Sequence, residues 1–309
     1  MTKPSEQIIN RLKLIKENPS ILFMPYKYSM FDCMETVYLA AKESGLRADI
    51  MVIPYMSYPD KLWHDERQYF RADGYFPVLF NEKAYLDYDF IVIHYPYDGS
   101  NNVTMIHPAA WTEKLHDIVY IPYHGNIAGP EWSRFFTTPG ARNCDYIVLG
   151  SDNDAKWFLE KNPGFSGKVI KTDGCTKAEC AKSHENDPIM GEFATLEHPV
   201  ALVSGTLWTF THNAEERMEK HRNAIEKAQK DGFSVIYRTH PLVRDAIAVM
   251  RPQSLQKYDD FLAEIAEKCL LDDSPFLHNA LRVADLLISD PSSVLKTWQG
   301  TGKPYEVME

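Results

Sequence analysis

The chain has 309 residues, enough for two α/β domains with separate cores, and its 44% hydrophobic and 25% charged content is ordinary for a globular protein. A net charge of -10 argues against a nucleic-acid partner and against an anionic membrane surface, which leaves at most peripheral membrane association. With no membrane-length apolar segment and no signal-peptide core, a cytoplasmic protein is expected, in solution or at the inner face of the membrane. The five cysteines are scattered, and Cys175 and Cys180 lack the spacing and the second pair of a zinc knuckle. Reduced, mostly structural thiols are expected, with no metal and no cofactor.

Taken in chain order, residues 6–17 read as an amphipathic helix, 21–26 as a strand, 31–44 as a helix and 48–54 as a strand. An aromatic, poorly periodic stretch, 55–88, follows. Strands are then expected at 90–94, 118–122, 146–149 and 168–171, with helices near 109–115 and over 153–161. The polar segment 176–197, which contains Pro188, reads as a linker or crossover. A second series has strands at 200–203, 234–237, 286–289 and 304–307, and helices at 214–230, 256–268, 276–283 and 292–299. Strand–helix alternation of this kind implies parallel sheets. The expected fold class is α/β, with two Rossmann-like domains, 1–185 and 186–309, facing across a cleft.

Three strand ends carry chemistry. Leu286–Ser289 ends at Asp290-Pro291-Ser292-Ser293, where a helix begins; its N–H donors with Ser292 and Ser293 can hold an anion. Taken alone, that run is an ordinary N-cap. The strand at 234–237 ends at Arg238-Thr239-His240-Pro241, where Arg238 offers a planar cation and His240 a donor or proton carrier. Two such ends in one parallel sheet converge, which favours phosphate binding by Arg238, His240, Asp290, Ser292 and Ser293. In the first half, the strand at 118–122 ends at His124-Gly125, where an imidazole can take a proton from an attacking hydroxyl. Gly125, Ser204, Gly205 and Thr206 are expected as further donor or acceptor contacts, although Ser204-Gly205-Thr206 reads equally well as a plain turn.

Other segments read more plainly. Tyr55, Tyr58, Tyr95, Tyr97 and Tyr123 form either a ligand platform or half-buried sheet residues. The run 215–217 reads as a solvated helix face, and Asp272-Asp273-Ser274 as a loop and helix cap. The first strand–helix turn, 26–32, either lines the acceptor side or carries Ser29 and Asp32 as helix caps. No Walker A loop, dinucleotide fingerprint, zinc-protease helix or nucleophile elbow occurs.

Together, His124-Gly125, Arg238-Thr239-His240-Pro241 and Leu287-Ile288-Ser289-Asp290-Pro291-Ser292-Ser293 resemble the CDP-glycerol glycerophosphotransferase family of teichoic acid primases and polymerases. The resemblance is sharp over 233–294 and architectural over 20–175. It implies a B-type glycosyltransferase fold and a CDP-linked donor as substrate. The group transferred would be glycerol phosphate or a related polyol phosphate, and the acceptor a polysaccharide or lipid-linked hydroxyl. It also implies His124 as the base and Arg238, His240, Ser292 and Ser293 as pyrophosphate ligands. Asn126 and Pro291 depart from the family pattern, and the loop at Ser204-Gly205-Thr206 differs from it. Two alternatives stand beside this reading: a nucleotide-sugar-dependent glycosyltransferase on the same fold, and a non-catalytic degenerate subunit.

Overall fold

The computed structural model describes residues 2–57, 61–81, 83, 87–96, 104–106, 116–125, 128–129, 133–189 and 191–308. The chain divides into two compact units, Met1–Met56 with Trp63–Ser183, and His184–Glu309 with the short piece Ser57–Leu62.

The first unit is built on six parallel strands. These are β1 (Ile21–Phe23), β2 (Ala48–Ile50), β5 (Phe90–Ile93), β6 (Asp117–Tyr120), β7 (Tyr146–Leu149) and β8 (Val169–Lys171), in the spatial order β2-β1-β5-β6-β7-β8. A small antiparallel pair, β3 (Tyr55–Met56) and β4 (Trp63–His64), stands apart. The Phe90–Ile93 strand is buried along its whole length, as a strand covered on both faces must be. Hence the runs are continuously apolar and not alternating. Burying each such side chain contributes about 1.5–3 kcal/mol.

The second unit has five parallel strands: β9 (Val200–Ser204), β10 (Ser234–Arg238), β11 (Leu270–Asp272), β12 (Leu286–Ser289) and β13 (Tyr305–Val307). Their order is β11-β10-β9-β12-β13. Helices Ala214–Lys230 and Leu255–Lys268 bring Met218, Ile225, Tyr258, Phe261 and Ile265 against Ala201, Val203, Val235 and Tyr237 in one core. The buried positions of Ala214–Lys230 recur at helical spacing (Ala214, Met218, His221, Ile225, Ala228), so one stripe of a charged 17-residue helix packs inward.

Several elements differ from the sequence expectation. The segment read as a linker opens with a helix, Thr176–Ser183, and contains a 3-10 turn, Gly191–Thr195. That helix docks because Thr176, Lys177 and Cys180 are buried and Lys177 Nζ meets Asp32 Oδ2 at 2.9 Å. Asp32 is therefore an ion-pair partner and not a cap. The helix expected over 31–44 splits into a 3-10 turn, Tyr28–Cys33, and a helix, Glu35–Glu43. The strand Leu270–Asp272 and the helices Arg67–Ala72, Leu207–His212 and Val243–Met250 had no counterpart in the reading. The helix expected near 109–115 lies outside the described residues. Among the described residues, no helix is long and apolar enough to cross a membrane.

Candidate functional site

In the second unit the chain leaves β9 toward β10 and β11, then crosses back to add β12 and β13 on the opposite flank. The carboxyl ends of β9 and β12 thus border a topological switch point, where loops part and leave a crevice. Register levels the strand ends: Asp272 pairs with Arg238, Arg238 with Ser204, and Ser204 with Ser289. One row across the sheet therefore carries the polar residues that the sequence had marked in separate segments.

Asp290 is the hub of this row. It is fully buried, and its Oδ2 accepts the Thr206 N–H at 3.0 Å and the Thr209 hydroxyl at 2.7 Å. Its Oδ1 accepts from Arg217 Nη1 at 2.7 Å, and His221 Nε2 lies 3.7 Å from Oδ2. Burial pushes the Asp290 carboxyl up, but the nearby His221 ring and the bonds from the Thr206 N–H and Thr209 hydroxyl outweigh it and hold the group below its ordinary value. Burial drives His221 the other way, below the usual histidine range, so its ring is neutral near pH 7. Asp290 thereby ties the β12 loop to the β9 loop and to the helix Ala214–Lys230. Its carboxylate faces inward to these donors, a tether in place of the phosphate contact expected of it.

Gly205 belongs to the same knot. A Cβ there would lie 2.5 Å from His221 Cε1 and 2.7 Å from Phe210 Cε2, so only glycine fits under these rings. Ser292 is the N-cap of the helix Ser293–Gln299, its hydroxyl accepting the Leu295 N–H at 3.0 Å and lying 3.2 Å from Ser289 Oγ. Ser293 follows as the first helical residue and is partly exposed.

Arg238 is 4% exposed, and its guanidinium turns along the sheet. It pairs with Asp272 and donates from Nη2 to the Ser274 carbonyl at 2.8 Å. Asp272 and Ser274, expected as loop and cap, are in fact the end of β11 and the clamp that neutralises this cation. Two residues on, His240 is partly exposed, and its Nδ1 accepts the Leu242 N–H at 3.2 Å. In the neutral ring this leaves the proton on Nε2, a donor at the carboxyl edge.

In the first unit, His124 follows β6 and is 1% exposed, with its ring packed on Phe135 and Phe136 at centroid distances of 4.4 and 5.8 Å. Gly125 has φ +109°, a conformation that side chains disfavour, so the glycine sets the turn after His124. The switch point of this sheet lies between β1 and β5, and there His94 stands. It is fully buried, stacked on Tyr26, and its Nε2 accepts the Tyr26 N–H at 3.2 Å. Burial, aided by the nearby Lys177 charge, pushes His94 down to about 3. Tyr55 and Tyr95 are buried around Tyr26, not spread as an open platform; Tyr58 and Tyr97 lie outside the described residues.

Sequence reasoning marked the loops and missed their anchors. Arg217, taken as part of a solvated face, has a side chain only 16% exposed and holds Asp290. His221 and Thr209 were passed over. One signal was available: a histidine on the apolar stripe of an otherwise charged helix needs a polar partner.

No sequence family and no curated protein matches the chain. Solved structures do. S. aureus MnaA in a co-structure with UDP superposes with TM-score 0.63 at 12% identity, covering 94% of this chain and 79% of that one. The Methanocaldococcus jannaschii UDP-GlcNAc 2-epimerase, in complex with UDP-GlcNAc and UDP, gives 0.64 at 14% identity, with 93% and 82% covered. The wall teichoic acid polymerase TagF, an H444N variant soaked with CDPG, gives 0.54 at 14% identity, with 97% and 72% covered. Two parallel α/β units in this company establish a B-type glycosyltransferase-like fold.

Proposed function

We propose that the protein is a transferase that uses a nucleoside-diphosphate-activated donor. It moves a glycerol-phosphate or related polyol-phosphate group from a CDP-linked donor to a hydroxyl on a polysaccharide or lipid-linked acceptor in cell-surface polysaccharide synthesis. The observation that carries this reading is the levelled row of strand ends at the second unit's switch point, where Ser204-Gly205-Thr206, Arg238–His240 and Asp290–Ser293 meet.

The acceptor oxygen attacks the phosphorus bearing the polyol. A new P–O bond forms as the pyrophosphate P–O bond breaks and CMP departs. His124 takes the acceptor's proton, a role typically worth a hundred- to ten-thousand-fold. His240 Nε2–H and the hydroxyls of Ser292, Ser293 and Thr206 stabilise charge growing on the leaving phosphate, which in a preorganised site is usually the largest catalytic contribution. Arg238 and Asp290 act behind them, fixing the ends of β10 and β12 through the bonds to Asp272 and Thr206.

A second reading, an enzyme acting on a UDP-sugar, has its own support, because the two UDP-bound neighbours superpose more closely than the polymerase. Titration calorimetry with CDP, UDP and GDP separates the two. CDP preference with turnover of a CDP-polyol supports the first, and UDP preference moves the assignment to the second. Binding of none of them overturns both. A ligand at a hundred times its dissociation constant stabilises by about 2.7 kcal/mol, so a thermal-shift panel is an adequate first screen. If His124→Ala turned over at near wild-type rate, His124 would not be the base.

A further inference from the structure

Trp208 differs from the aromatics that fill the second unit's core. Trp298, Tyr237, Tyr258, Phe210 and Phe261 are buried, whereas Trp208 is 58% exposed. It sits two residues beyond Thr206, so its Cα lies within about 7 Å of that residue's. Its mount is rigid on both sides. Thr206 gives its N–H, and Thr209 its hydroxyl, to the same buried oxygen of Asp290, at 3.0 and 2.7 Å. The indole is backed by His212, with ring centroids 3.7 Å apart, and the His212 Nδ1–H donates to the Trp208 carbonyl at 3.1 Å. The helix that carries it packs against Val243–Met250, which begins directly after the His240 loop. An exposed indole, braced from behind and set beside a polar strand end, costs the free protein unburied apolar surface. A planar ligand laid on it repays that cost.

We infer that Trp208 is the stacking platform for the nucleobase of the donor. This rests on the nucleoside-diphosphate reading of the same switch point. A diphosphate held at Ser204–Thr206 and Ser292–Ser293 places its ribose, and then its base, about one nucleoside length away. Trp208, two residues along the chain from Thr206, is an exposed aromatic within reach of a base so placed. Stacking accepts any base, because every base has a π face. Trp208 therefore supplies affinity for nucleotides as a class, while discrimination between cytosine and uracil falls to hydrogen-bonding groups.

Calorimetry with CDP, UDP and inorganic pyrophosphate on wild type, Trp208→Ala and Trp208→Phe tests this. Truncation should weaken CDP and UDP roughly 5- to 150-fold, leave pyrophosphate unchanged, and be largely rescued by Phe. In the intact protein, the fluorescence difference between wild type and Trp208→Phe should be quenched by CDP and not by pyrophosphate, which keeps the test independent of how well the alanine variant folds. If wild type binds CDP and Trp208→Ala binds it equally well, the platform is overturned while the nucleotide reading stands. If wild type binds CDP no better than pyrophosphate, the base goes unread and the platform is overturned. If neither CDP nor UDP binds at all, the reading beneath it fails and takes the platform with it.

Discussion

Replacing Asp290 tests the internal logic of the second unit, because its two oxygens have separate duties. Oδ2 serves Thr206 and Thr209, and Oδ1 serves Arg217. Asp290→Asn can keep its carbonyl toward the two threonines, but it turns an amide N–H toward a guanidinium N–H and loses the charge. Asp290→Ala strands all three donors. Breaking a buried pair costs about 3–5 kcal/mol when the remaining charge stays buried. Arg217 keeps a 16% opening to solvent, so the asparagine variant should lose about 2–3 kcal/mol. Alanine adds two unmet hydrogen bonds at about 1 kcal/mol or more each, giving about 4–6 kcal/mol. Urea unfolding reads the global loss, and native-state hydrogen exchange on the 204–209 peptide localises it. Adding Arg217→Met to Asp290→Asn should recover part of the loss, because the stranded cation goes with it. Asn and Ala variants within 0.5 kcal/mol of wild type, with unchanged exchange at 204–209, would refute the tether.

Further expectations follow from the same geometry. Gly205→Ala drives a methyl into His221 and Phe210, both fully buried, and should cost about 1–3 kcal/mol by overpacking, measured by urea unfolding. Arg238→Met leaves Asp272 buried without its cation and should destabilise by about 3–5 kcal/mol; an Arg238 that served only the ligand would lose binding with stability intact. The Asp290 carboxyl is depressed in the folded state, so its stabilising contribution is full above the unfolded value of about 3.9 and disappears as pH falls through the lower native value. Acid unfolding of wild type should therefore include a component below about pH 4 that Asp290→Asn lacks. Gly125→Ala, forced to φ +109°, should destabilise by about 1 kcal/mol or more and lower turnover by disturbing the turn after His124, checked by melting and by rate.

Much of the frame could be read from the chain because buried parallel strands announce themselves. Phe90–Ile93 and residues 200–203 are continuous apolar runs, and their ends are marked by a change to the polar residues His94 and Ser204. The loops of the second unit were legible for the same reason. Their anchors were not. Arg217 and Asp290 are 73 residues apart, and nothing local distinguishes an arginine that reaches a buried carboxylate from one that waves in solvent. Leu270–Asp272 was hidden by its brevity, and the docked helix Thr176–Ser183 by polar residues whose burial depends on Asp32 and Glu35 far upstream. His94 escaped notice since a histidine closing a strand looks ordinary until the strand order places it at the switch point.

The Arg238–Asp272 clamp also bears on how a charged ligand arrives. With that cation cancelled by Asp272, and Arg217 cancelled by Asp290, a diphosphate bound at the row of strand ends as proposed would meet hydrogen-bond donors at contact range and little attraction from afar. The whole molecule, at -10, repels it over a Debye length. Capture should then quicken as ionic strength rises, the opposite of a site that fishes for anions with open lysines and arginines.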